Sequence, residues 1–174
     1  MIINFILFQL AWFSCVIGAA KGMPWLGVLV SIYVFGVHIY QAKQAKQEFL
    51  LALSVLLIGA ISDQVMLSFR LIDYLNSGWS NALVPVWILA LWLGFSTILN
   101  VSLRWMKGRY LIAVIFGAVG GPLAYFSAEK IGAVILHGQN SYIGLSILWA
   151  IITPLLLIIS NYFDGFKYQS NVKK

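Results

Sequence analysis

Charge is what this chain lacks most. Only 9% of its 174 residues are Asp, Glu, Lys or Arg, against about a quarter in a soluble domain, so it has too little polar side chain to clothe a soluble globule. It has one cysteine, Cys15, which excludes an intramolecular disulfide and a thiolate cluster for a metal. In its apolar segment that thiol reads as a small packing residue. There is no paired-histidine metal motif, no Walker loop in a strand context and no nucleophile elbow. Neither a metal nor a cofactor is expected, and the motifs do not decide whether the chain is an enzyme. No low-complexity tract and no fixed-period repeat stands out.

What is present is hydrophobic: 61% of residues are apolar and the mean hydropathy is +0.92. Apolar runs at 1–20, 24–40, 49–69, 81–102, 110–128 and 142–160 each approach the length of about 20 residues needed to cross a hydrocarbon core. The expected fold is all-α, a polytopic transmembrane helix bundle of about six spans forming one integral membrane domain over residues 1–174. Three successive helical hairpins are the simplest arrangement. The connections are too short for an aqueous domain, so a function must lie between the helices or at their ends. Met1–Ala20 has the length of a signal peptide, but no Lys or Arg precedes it, and Asn4 and Gln9 interrupt its apolar part. It reads as the first span.

The net charge of +6 does not point to nucleic acid, because the basic residues fall in short loops and a tail with no aromatic-interleaved stripe. They sort by side. Lys43, Lys46, Arg104, Lys107, Arg109, Lys167, Lys173 and Lys174 share one side, and only Lys21, Arg70 and Lys130 fall on the other. By the positive-inside rule the richer side is the cytoplasm and holds both termini. Trp25, Tyr40, Trp79, Trp105, Tyr110 and Tyr142 lie near span ends, where amphipathic rings favour the headgroup region. Trp87 and Trp92 lie deeper and need another explanation.

Asp63 is the acidic residue that the spans force inside the bilayer. It lies about 21 Å along its helix from the cytoplasmic start. A carboxylate facing lipid at that depth costs about 3 kcal/mol or more, so Asp63 is expected to face the bundle interior or a wet cavity. Lys21, Arg70, Glu129 and His137 map to the same outer interface and are its candidate polar partners, Arg70 lying two turns along the same helix. On the first span, Gln9 and Trp12 are three apart and share neighbouring faces; a buried Gln9 needs a hydrogen-bond partner. On the fourth span, Trp92, Ser96 and Asn100 are four apart, and Pro85 is expected to bend the helix and free a carbonyl. On the fifth, Gly117 and Gly121 permit close helix approach, Pro122 can kink the span, and Tyr125 follows. Each pattern also fits plain helix packing.

Asn4 through Phe8, Gln9 and Trp12, then Asp63, the Pro85-Val86-Trp87 to Trp92 segment, and Gly120-Gly121-Pro122-Leu123-Ala124-Tyr125 before Gly132-Ala133 together carry a likeness. Over almost its whole length the chain resembles a family of small bacterial inner-membrane proteins described only as a domain of unknown function. Members of that family are often encoded near cyclopropane-fatty-acyl-phospholipid synthase and other genes for acyl-chain modification or for light and oxidative stress. The resemblance implies a multi-pass protein of the bacterial inner membrane with a lipid-linked role, and supplies no catalytic residues.

The leading expectation is an outward-opening cavity lined by Asp63, Gln9, Trp12, Trp92, Pro122 and Tyr125 that handles, modifies or senses a membrane lipid or a lipid-soluble molecule. Two other classes fit the residues. One is a proton-coupled small-solute carrier or channel with Asp63 as its titrating group. The other is a structural partner, of another membrane protein or of a second copy, docking through its glycine faces.

Overall fold

Long apolar runs wind into helices in a membrane because the helix satisfies every backbone polar group internally. A computed structural model describes residues 1–167 and contains α1 (Ile2–Ala20), α2 (Pro24–Gln41), α3 (Ala45–Ser68), α4 (Val86–Leu99), α5 (Tyr110–Ile131) and α6 (Gln139–Tyr162). Pro24 stands in the first turn of α2, where its missing N–H costs nothing. Gly132, at φ 93°, closes α5 in the left-handed conformation that glycine adopts without strain. Lys173 and Lys174, used above to assign orientation, lie outside the described residues.

The outward faces are apolar. Phe49, Leu53, Leu57 and Ile61 on α3, Leu111, Ile115, Val119 and Leu123 on α5, and Ile143, Ile147 and Ile151 on α6 are all exposed. Each series repeats every fourth residue and so forms one stripe along its helix. A soluble monomer does not expose apolar stripes of this extent; such faces suit the hydrocarbon of a membrane. The chain is a multi-pass helical membrane protein with five helices, α1, α2, α3, α5 and α6, long and apolar enough to cross a membrane.

The fourth apolar run is where structure and expectation part. Only 14 residues of it, Val86–Leu99, are helical, about 21 Å of rise, instead of the whole of 81–102. Ten of those 14 residues are buried, because α4 packs against α1, α2, α3 and α6. A helix sheathed by others presents little to lipid and need not match the bilayer thickness. Pro85 is its N-cap, in extended conformation at φ −63° and ψ 154°, so it starts the helix and does not bend it. Its neighbours Ala82 and Val84 are tied to α3 by Gln64, whose amide donates to Ala82 O at 3.0 Å and accepts from Val84 N at 2.9 Å.

At that end of the bundle, β1 (Ile72–Tyr74) and β2 (Val134–Leu136) form an antiparallel ribbon, with Asp73 opposite Ile135. The connection after α3 is therefore an ordered cap. Both Ile72 and Tyr74 point into the bundle, and Asp73 between them is exposed.

Candidate functional site

Two glycines let the centre of the site form. A Cβ on Gly59 would lie 2.1 Å from the Trp92 ring, and one on Gly121 would lie 2.2 Å from the Trp149 ring. Only the bare backbone leaves space for these indoles. The two rings stack on each other, 5.0 Å between centroids and 11° between planes, and Phe95 meets both edge-on. One helical turn beyond Gly59 stands Asp63, and one turn beyond Gly121 stands Tyr125. Each glycine thus seats an indole beside a residue of the polar centre.

Asp63 is 1% exposed. Its Oδ2 accepts from the Trp92 indole N–H at 2.5 Å, and its Oδ1 accepts from the Tyr74 hydroxyl at 2.6 Å and from the Tyr125 hydroxyl. The carboxyl group is thus held by α4, α5 and β1 at once. Its partners are neutral donors. The four groups expected around it lie elsewhere: Lys21 and Arg70 are exposed, Glu129 accepts from Leu136 N at 2.8 Å and Tyr142 at 3.3 Å, and His137 pairs with Asp73 at 2.8 Å. Tyr74 had no sequence signal, since it sits in a polar connection and becomes buried only through the ribbon.

Beside this centre lies a cavity of about 550 Å³ between α1, α4, α5 and α6, within the range of about 300–1,000 Å³ usual for small-molecule sites. Gln9, Trp12, Trp92 and Tyr125 line it; Asp63 and Pro122 do not. Asp63 stands behind the wall made by Trp92 and Tyr125, and α5 continues as helix through Pro122. The lining residues Ile88 and Ile98 set a depth of about 15 Å along α4. The lining residues Phe5 and Phe13 of α1, and Phe116 and Leu123 of α5, are also exposed on the bundle surface. The cleft therefore opens sideways between α1 and α5, on an exposed apolar flank of the bundle. No lining residue is charged.

At the opposite end of the bundle lies a second buried polar cluster that sequence reasoning missed. Glu48 is 1% exposed, as buried as Asp63, although it stands just before the apolar run 49–69, in the first turn of α3. Its Oε2 meets His38 Nε2 at 2.8 Å, and its Oε1 accepts from Asn100 Nδ2 at 2.7 Å and from the Gly165 backbone N–H at 2.6 Å. Asn100 Oδ1 accepts from Lys107 Nζ at 2.6 Å. Lys107 and Arg104 both pair with Asp164, at 2.9 and 2.7 Å. Burial lowers the Lys107 ammonium below the usual lysine value, with Asp164 opposing that. Burial would raise Asp164, but hydrogen bonds from Lys107 and Arg104, and their charges, hold it below the usual carboxylate value. Asn4 bonds the same end of α4 as this cluster, donating to Thr97 O at 3.1 Å and accepting from Ser102 at 2.6 Å.

Among the described residues, no group of three or more His, Cys, Asp or Glu side chains has metal-binding proximity. Residues 1–155 match the model of a family described as a protein of unknown function, DUF2878. No curated protein and no solved structure matches the chain.

Proposed function

The chain belongs to the DUF2878 family of proteins of unknown function, and from that premise we propose that this integral membrane protein holds a membrane lipid or another lipid-soluble molecule in the cleft between α1 and α5. The observation that carries the reading is the cavity of about 550 Å³, uncharged in its lining and flanked at its mouth by exposed phenylalanines. A hydrophobic guest gains about 25 cal/mol for each Å² of apolar surface removed from water. From within a bilayer that gain is absent, and shape fit and polar contacts decide occupancy. The stacked Trp92 and Trp149 give the cleft a rigid floor, and Asp63 fixes Trp92 and Tyr125 in its wall. Asp63 acts in this reading as a positioning residue. Since its oxygens are engaged by Tyr74, Tyr125 and Trp92, the arrangement disfavours a carrier that uses it as a titrating group facing a solute.

Gly120 provides the test. It lines the cleft, and a Cβ there meets only a Phe116 ring atom, at 3.9 Å. Gly120→Leu should therefore fill the cleft without disturbing α5 and α6. Purified gently and analysed by mass spectrometry, the wild-type chain is expected to carry a defined lipid-soluble molecule that Gly120→Leu has lost, with both proteins equally folded. The same lipid inventory in both would overturn the proposal.

A further inference from the structure

Gln9 is a polar side chain on a largely apolar span. It lies about 10 Å into a helix about 28 Å long, α1, and therefore deep in the hydrocarbon region. It lines the cleft, yet its amide takes no hydrogen-bond partner among the described residues. The indole N–H of Trp12, three residues on and also lining the cleft, is likewise unpartnered. Of the other polar groups of the wall, Tyr125 and Trp92 donate to Asp63, Trp87 donates to Leu75 O and Ser127 donates to Leu123 O, while Thr153 Oγ1 is buried with no hydrogen-bond partner among the described residues and adds a hydroxyl to the wall. Gln9 is half-buried in the wall of the cleft, and an amide without a partner at mid-membrane is costly, so it calls for a protein, water or ligand partner.

We infer that the cleft takes an uncharged lipid-soluble molecule bearing a carbonyl or ester oxygen, and that this oxygen accepts hydrogen bonds from the Gln9 amide and the Trp12 indole. The inference rests on the occupancy proposed above and adds the chemistry of the occupant. An acceptor oxygen is specified because an indole N–H can only donate and the Gln9 amide offers two further donors. Neutrality follows from the absence of any Lys, Arg or His in the lining. A phosphate or free carboxylate in the cleft would be desolvated with no cation opposite it. Entry is lateral, past Phe5 and Phe13 on one side and Phe116 and Leu123 on the other, so the molecule need never leave the membrane.

The full chain, purified in detergent, is tested with radiolabelled methyl stearate, octadecane and stearate in a proximity binding assay. Methyl stearate is expected to bind more tightly than octadecane, and stearate no more tightly than its ester. Gln9→Leu, which places an apolar residue on a membrane helix and so preserves insertion, is expected to weaken methyl stearate binding about fivefold to tenfold and leave octadecane unchanged. Trp12→Phe, which keeps a ring and removes the donor, is expected to act in the same direction. An unchanged ester-to-alkane ratio in both variants, or tighter binding of stearate than of its ester, overturns this inference and leaves the occupancy proposal standing. Failure of all three probes to bind the wild type overturns both.

Discussion

At the residue scale the decisive interaction is a carboxyl group deep in the bundle solvated by protein. Asp63 was legible because a carboxylate in the middle of a long apolar run must turn away from lipid. Its company was not legible. The sequence offers cations at the outer interface, and Arg70 even shares the helix, but such side chains reach water easily and these stay there. Three donors from α4, α5 and β1 take their place, two of them brought in by packing that Gly59 and Gly121 allow. Neither glycine advertises an indole partner in the sequence; Gly117 and Gly121 read only as a surface for close approach. Removing one donor should be costly, because the accepting oxygen stays buried. Trp92→Phe is expected to destabilise the folded state by about 1–3 kcal/mol, read as reversible unfolding in detergent micelles. An effect within experimental error would mean that Asp63 Oδ2 finds another donor.

At the scale of elements, the long amphiphilic punctuation of the chain was readable and the short elements were not. The ends of α1 and α2 are marked by Lys21 and Pro24, and the structure puts them where those residues suggest. α4 is shorter than its apolar run because hydropathy measures the wish to leave water, and a helix enclosed by protein meets that wish without spanning. The ribbon of β1 and β2 comprises three residues a side, too few for alternation to rise above chance. The loop after α6 is held by Glu48 through Gly165 and by Asp164 through Arg104 and Lys107, a union of residues more than 50 positions apart that no local pattern encodes. Because Asp164 is more acidic folded than unfolded, its contribution is complete above its unfolded value near pH 4 and is lost as pH falls through the lower folded value. Hydrogen exchange of residues 163–167 is therefore expected to stay slow from neutrality to about pH 5 and to quicken only in stronger acid. Release already near neutrality would show that Asp164 is not the group holding the loop.

At the scale of the whole molecule, composition alone dictated a membrane bundle without an aqueous domain, and the apolar stripes on α3, α5 and α6 give that statement a surface. The bundle's asymmetry is the part composition could not supply. α1 pairs with α2, and α5 with α6, while α1 and α5 scarcely touch, so the two pairs leave between them the cleft floored by α4. Small side chains and aromatic rings line it in place of the charged groups a solute pathway would need. Access from the lipid phase, with a rigid aromatic floor and an unsatisfied amide at mid-depth, is the arrangement from which the proposed role follows. The most direct measurement is photo-crosslinking in native membranes, with a benzophenone side chain placed at Gly120 inside the cleft or at Leu111 on the outer face of α5. The account predicts that position 111 captures the bulk phospholipids while position 120 captures a distinct, restricted set of molecules; identical capture at the two positions would contradict it.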